Sequence, residues 1–257
     1  MTDALTQILA AKQTRLSRGE FGAFGPAPRP TDGARFTAAL REPGVRILAE
    51  LKARSPSAGE ILPGADGKVE SFGLMYRRGH AAAISIVTEQ DFFGGNPEWL
   101  PRAKNISGLP VLMKDFFLTE RQLDFAVSLG ADAVLLIVRA LSPESLASMR
   151  AAARARGLAV VVEAHGALEI RHAAAVEPDV LGVNARDLTS FTTDLTALAA
   201  MAKEIPPGPV RLAESGIQTR EDIAMLAAAG FEAFLVGEAL LRAEDPGEAL
   251  RELQGRQ

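Results

Sequence analysis

Eight short apolar runs recur along the chain, each ending in polar residues or glycine and each followed by a segment of helical periodicity. They are VRILAELK from Val45, AAISIVT from Ala82, PVLMKDF from Pro110, AVLLIV from Ala133, LAVVVEA from Leu158, VLGVN from Val180, VRLAESG from Val210 and AFLVG from Ala233. Their length and β-branched content suit strands buried on both faces, as in a parallel sheet. The intervening segments carry helix boundaries. Thr119, Ser142 and Thr219 stand at N-cap positions, each with an acid in the following turn, and Gly130, Gly157 and Gly230 close the same helices. Eight βα units at intervals of about 22 to 37 residues, without a nucleotide-binding glycine fingerprint, predict an α/β fold of the closed (β/α)8 barrel type rather than an open doubly wound sheet.

Ahead of the first strand lies a leader, residues 1–44, with an amphipathic helix that carries Leu5, Ile8 and Leu9, then the glycine- and proline-rich stretch GEFGAFGPAPRPTDG. Two readings stand for it: a loose terminus, or an extra helix covering one end of the barrel. The domain division expected is one barrel domain over residues 1–257, the leader over the barrel mouth and residues 45–257 forming the barrel. A length of 257 residues suits one complete barrel, because this fold commonly occupies roughly 250.

Composition narrows the function classes. A net charge of −4, with no block of like charges, argues against nucleic acid or an acidic membrane surface as partner. With no cysteine, disulfides, thiolate nucleophiles and Cys-ligated zinc are excluded. The three histidines, His80, His165 and His172, are scattered, and no metal-ligand spacing is present. The longest apolar runs are strand-length, and the leader lacks the apolar segment of a secretion signal. A cytoplasmic setting is expected.

Candidate chemistry follows from strand alternation, which puts every second side chain on one face. Glu50 and Lys52 share a face with Leu48, Lys114 with Leu112, Glu163 with Val161, Asn184 with Gly182, and Glu214 with Leu212. Each polar residue falls at the C-terminal end of its run, where barrel active sites lie. Inward-facing charges are costly unless paired or bound to a ligand, and lysines close to glutamates acquire the shifted pKa values that acid–base work needs. Ser215 and Gly216 end the seventh run and Gly237 the eighth, positions at which backbone N–H groups of barrels hold phosphate or at which glycine serves only a turn. Ser55 and Ser57, in SPSAG after the first run, are a turn or the edge of a substrate mouth. The pairs Phe92-Phe93 and Phe116-Phe117 either wall a planar substrate or pack beneath their loops. His165 reads as a loop residue behind Glu163 rather than as a base.

The segments AELKARSPSAG, SIVTEQDFFGG, PVLMKDF, GADAVLLIV, VVVEAH, LGVNARDL, LAESGI and FLVGEALLR, in this order, make the chain resemble the indole-3-glycerol phosphate synthase family. The resemblance implies conversion of 1-(2-carboxyphenylamino)-1-deoxyribulose 5-phosphate to indole-3-glycerol phosphate in tryptophan biosynthesis, with loss of carbon dioxide and water and no cofactor. It implies that Lys114 is the general acid for ring closure, that Glu163 assists proton loss and dehydration, and that Lys52 contacts the substrate carboxylate and donates a further proton. Glu50, Phe93, Phe116, Asn184, Arg186, Glu214 and Ser215 would line the pocket. Ser55, Ser57, Ser215, Gly216 and Gly237 would hold carboxylate, ribulose hydroxyls or phosphate. Two departures stand out: Ala58 where many members have lysine, and Glu238 after Gly237 where others have serine, which leaves only the Gly237 backbone for phosphate. A cysteine-dependent isomerase of similar fold is excluded by composition, and a barrel kept only for binding is expected to lack Lys114 or Glu163. The expected partner is a small phosphorylated molecule, and the expected state a monomer or weak homo-oligomer.

Overall fold

A computed structural model describes residues 4–21, 31–186 and 192–256. Within them, eight parallel strands close into a barrel: β1 (Arg46–Leu51), β4 (Ala83–Val87), β5 (Val111–Lys114), β6 (Ala133–Ile137), β7 (Ala159–Ala164), β8 (Val180–Asn184), β9 (Val210–Glu214) and β10 (Ala233–Val236). Each strand lies inside one of the eight apolar runs. The remaining strands, β2 (Arg54–Ser55) and β3 (Gly59–Glu60), form a small antiparallel hairpin after β1.

Alternation along the strands separates two cores. Leu48, Leu112, Leu135, Val161, Leu212 and Leu235 fill the barrel interior. Their neighbours, among them Ile47, Met113, Leu136, Val162 and Phe234, pack outward against the helices. Below their C-terminal ends, both faces of the barrel strands are therefore largely apolar, which is why the runs read as continuous rather than alternating.

The helices begin and end where their sequences predict. The Thr219 hydroxyl accepts the Asp222 N–H at 3.2 Å while Asp222 accepts the Thr219 N–H at 2.9 Å, opening α9 (Arg220–Ala229). Ser142 accepts the Ser145 N–H at the start of α6 (Pro143–Ala155). At α5 (Glu120–Ser128) the reciprocal partner of Thr119 is Gln122, whose side chain accepts the Thr119 N–H.

The leader closes both ends of the barrel. Helix α1 (Ala4–Ser17) lies over the C-terminal mouth, with Ala4, Leu5 and Ile8 at the cavity there. Its Lys12, on the same face as Ile8, is buried and ion-paired to Asp115 at 2.6 Å. Helix α2 (Gly33–Arg41), which the sequence reading did not anticipate, seals the opposite end. Phe36 and Leu40 are fully buried among the interior side chains, and the Gly33 N–H donates to the Gly157 carbonyl just below β7. Residues 22–30 of the glycine- and proline-rich stretch lie outside the described residues. No helix of the described residues is long and apolar enough to cross a membrane.

Deleting α1 is expected to raise KM roughly tenfold, about 1.4 kcal/mol of substrate contact, with a smaller change in kcat. Steady-state kinetics with a parallel thermal melt check this, and an unchanged KM would mark α1 as a mere terminus.

Candidate active site

Above the leucine- and valine-filled interior, the inward positions turn polar. Glu50, Lys114, Glu163, Asn184 and Glu214 each come at the last or penultimate residue of a strand, so the barrel brings side chains from five strands around one axis. They open into a cavity of about 340 Å³ at the C-terminal mouth. Its lining includes Lys52, Ser55, Ser57, Phe93, Phe116, Arg186, Ser215, Gly216 and Gly237 along with Glu50, Lys114, Glu163 and Asn184. Among the residues expected at the site, Glu214 alone lies below the surface of the cavity. It is fully buried and reaches the site through Lys114.

The centre is a lysine held by carboxylates. Lys114 Nζ lies 3.2 Å from Glu50 Oε2 and 3.1 Å from Glu214 Oε2. Lys52 Nζ lies 2.6 Å from the other oxygen of Glu50, so one carboxylate bridges two ammonium groups. Burial works against the Glu50 charge, but Lys114 and Lys52 overcome it and hold the carboxyl at about 2. Burial likewise disfavours the Lys114 ammonium, yet Glu50, Glu214 and Glu163 together raise its pKa. Glu214 is pushed up to about 7, first by burial and then by the nearby Glu163 and Glu50, with Lys114 opposing. Its Oε1 has no hydrogen-bond partner, which suits a carboxyl that carries a proton near neutrality.

Two glycines make room for these carboxylates. A Cβ on Gly182 would stand 2.1 Å from Glu214 Oε1, and one on Gly237 would stand 2.8 Å from Glu50 Oε1. The small residues on β8 and after β10 are thus the counterparts of the two acids on β9 and β1.

The loops shape the rest. Phe93 and Phe116 face each other across the cavity wall with ring centroids 6.3 Å apart, whereas Phe117 is buried in the outer core. Each aromatic pair is therefore divided, one member of each lining the cavity and Phe92 staying out of it. Glu89, which the sequence reading passed over, positions Phe93: its buried carboxylate accepts the N–H groups of Asp91, Phe92 and Phe93 at 3.1, 2.8 and 3.0 Å. The hairpin after β1 is tied across the mouth by Arg186 Nη1, which donates to Ser57 Oγ at 2.9 Å, and Ser55 Oγ accepts the Ala58 N–H. After β9 the chain takes two successive left-handed residues, Ser215 at φ +70° and Gly216 at φ +79°. A non-glycine residue in that region carries strain that commonly marks a functional turn. Glu238 also reaches the lining, with its carboxylate paired to Arg242 at 2.9 Å.

Lys12 and Asp115 were likewise not singled out by sequence. The signal for Lys12 was a lysine four residues after Ile8 on the apolar face of the first helix. For Asp115, which also lines the cavity and whose Oδ2 accepts from Thr88 Oγ1 at 2.9 Å, it was an acid next to Lys114 at the end of the run.

A closed parallel barrel whose mouth gathers lysines, carboxylates and an aromatic wall defines a (β/α)8 enzyme of the acid–base class. A family model described as indole-3-glycerol phosphate synthase matches residues 5–253, and the chain belongs to this family. It is 42% identical over 245 residues to indole-3-glycerol phosphate synthase 2 of Streptomyces coelicolor, covering 95% of this chain and 92% of that one. It is 38% identical to the indole-3-glycerol phosphate synthase of Aromatoleum aromaticum, covering 99% and 100%. Among solved structures, 3-hexulose-6-phosphate synthase from Salmonella typhimurium matches with a TM-score of 0.64 at 18% identity, over 82% of this chain and 97% of that one. A mutant tryptophan synthase alpha-subunit from Pyrococcus furiosus matches with a TM-score of 0.61 at 15% identity, over 88% and 100%. These two show the barrel fold alone.

Proposed function

We propose that the chain converts 1-(2-carboxyphenylamino)-1-deoxyribulose 5-phosphate to indole-3-glycerol phosphate, with Lys114 and Glu163 dividing the proton transfers. The observation that carries this reading is the Lys114 ammonium held between Glu50 and Glu214 at the floor of an aromatic-walled cavity that Glu163 also lines.

Ring closure joins an aromatic carbon to the substrate ketone, and charge develops on the ketone oxygen. The carboxylates around Lys114 raise its pKa, so at neutral pH it is an ammonium that can protonate that oxygen. The new bond leaves a cationic intermediate, into which the electrons of the departing carboxylate can flow, so carbon dioxide is lost without an electron sink from a cofactor. Loss of carbon dioxide restores the benzene ring. Glu163 then assists removal of a proton from the methylene carbon beside nitrogen in the new five-membered ring as the hydroxyl leaves as water, which completes the indole. Lys52 faces the substrate carboxylate and supplies a further proton. Phe93 and Phe116 hold the anthranilate ring against the ribulose chain, where orientation contributes much of the rate.

The phosphate is assigned to the turn of Ser215 and Gly216 and to the Gly237 backbone. Glu238 gives an acidic side chain at this end, so the contacts there fall to backbone N–H groups. Arg186, Ser55, Ser57 and Asn184 are left for the carboxylate and hydroxyls. A net charge of −4 with no block of like charges favours a small phosphorylated molecule over nucleic acid or an acidic membrane as partner, and the enzyme is taken to be cytoplasmic and a monomer or weak homo-oligomer.

The test is an assay of the purified protein with the carboxyphenylamino deoxyribulose phosphate, followed by indole fluorescence. Product formation is expected, and well-folded protein at micromolar concentration that forms none would sink the assignment.

A further inference from the structure

Behind Glu163 lies a row of charged groups that no step above uses. His165, on the turn after β7, has its side chain buried between two carboxylates: Nε2 is 3.3 Å from Glu163 Oε1 and Nδ1 is 3.4 Å from Glu169 Oε2, ion-pair distances at which neither nitrogen completes a well-aligned hydrogen bond. Glu169 belongs to α7 (Ala167–Ala175). Its Oε2 also accepts the His165 backbone N–H at 2.9 Å, and its Oε1 lies 2.5 Å from Nε of Arg139, in the 3-10 turn Val138–Ala140 after β6. The order is therefore Arg139, Glu169, His165, Glu163, and Glu163 is the member that reaches the cavity.

A neutral imidazole has one N–H and one lone pair. Between two carboxylates, the lone pair of either neutral tautomer would face an anion. Both ring nitrogens have a favourable partner only when both carry protons.

We propose that His165 is a positioning residue for Glu163: a buried imidazolium, held in place by Glu169 and Arg139, that fixes one oxygen of the Glu163 carboxylate in the direction needed for proton abstraction. This role rests on the reaction proposed above.

The surrounding charges agree with it. Burial opposes the charged imidazole, but Glu169 and Glu163 outweigh burial and the repulsion of Arg139, so the His165 pKa is raised. Burial opposes the Glu169 charge too, yet His165 and Arg139 hold that carboxyl at about 2. From the far side, Lys114 of β5 faces Glu163 electrostatically. Glu163 thus stands between two cations, with Glu214 acting on it from within the barrel. Without His165, the Glu163 carboxylate would lose the partner on its outer side.

The chain has three histidines, and the other two, His80 and His172, are exposed, so the imidazole nitrogens of the full-length protein can be resolved by 15N NMR. His165 is expected to be doubly protonated at pH 7, with a titration midpoint above the usual histidine value of about 6.5, and Glu169→Gln is expected to lower that midpoint. In the fluorescence assay, His165→Gln should lower kcat by about 10- to 100-fold with KM within about twofold, as expected when a reacting group is misplaced. The loss should fall on the dehydration step, so that single-turnover carbon dioxide release keeps the wild-type rate while indole fluorescence lags behind it. An active wild-type enzyme with neutral His165 at pH 7 overturns the positioning role alone. So does a His165→Gln variant that forms indole at the wild-type rate, or one that slows carbon dioxide release and indole formation alike. Wild-type protein that forms no indole product overturns the reaction, and the positioning role with it.

Discussion

Replacing Lys114 with methionine is expected to lower kcat by about 10³-fold or more, in the upper part of the range for losing a general acid, while substrate still binds. Methionine keeps the length of the side chain and removes the ammonium. The variant should stall before the first covalent step, so neither carbon dioxide nor indole fluorescence appears in a single turnover. A stability effect accompanies this. Glu50 and Glu214 are both buried, and each contacts Lys114. Removing one partner of a buried ion pair commonly costs about 3–5 kcal/mol. The two acids can relieve part of that by taking up protons, which sets a sign for the pH dependence. With their folded pKa values moved upward, the folded variant binds more protons than the unfolded chain above about pH 4.5, so its stability falls as pH rises. Thermal melts of wild type and variant should therefore converge toward pH 5 and diverge toward pH 8. Single-turnover carbon dioxide release at the wild-type rate in this variant would remove Lys114 from ring closure.

Glu163→Gln is the second large effect, and it should stall the reaction at a different place. Glutamine preserves the shape of the last inward side chain of β7 but cannot take a proton. Steady-state indole formation should fall by about 10²- to 10⁴-fold, the usual range for a lost general base, with KM little changed. Because Lys114 is intact, ring closure and decarboxylation should still proceed. Mixing enzyme in excess with substrate should then release up to one equivalent of carbon dioxide while fluorescence stays near background. A variant that releases no carbon dioxide either would assign Glu163 to the first step. Comparing the two variants tests the division of labour directly, since the proposed order requires carbon dioxide from one and none from the other.

Much of this site was legible from parity. Leu48, Leu112, Val161 and Leu212 mark the inward face of their strands, and Glu50, Lys114, Glu163 and Glu214 follow at the next inward position. A side chain two residues on in a strand must share that face. The turn after β9 was legible for a related reason, in that Ser215-Gly216 interrupts a strand where a barrel loop must begin. Asp115 has the opposite parity. It nonetheless reaches the cavity lining, where it fixes Lys12 of α1, and nothing local in PVLMKDF says so.

Other features were hidden because they depend on residues far apart in sequence. Helix α2 has few residues and sits in a leader whose proline and glycine obscure its periodicity. Its role comes from Phe36 and Leu40 filling the open end that the strands leave. Phe93 and Phe117 are equally apolar in sequence, yet one lines the cavity and the other packs outside, decided by the Glu89 turn and by the outer helices. Gly182 looks like a weak spot in a strand until the Glu214 carboxyl is found in the place of its missing side chain.

The sequence by itself determined the number of barrel strands, the face each presents and the end at which chemistry gathers, because periodicity and strand parity are local properties of the chain. Only the tertiary structure decided the charge states there. Glu50 and Glu214 are the same residue type at matching strand ends, yet one is held at about 2 and the other is pushed up to about 7. Glu50 bridges two lysines, while Glu214 has one and lies deeper among other carboxylates. Coulomb forces act across the barrel through a poorly screening interior, and the distances that set them exist only once the barrel has closed.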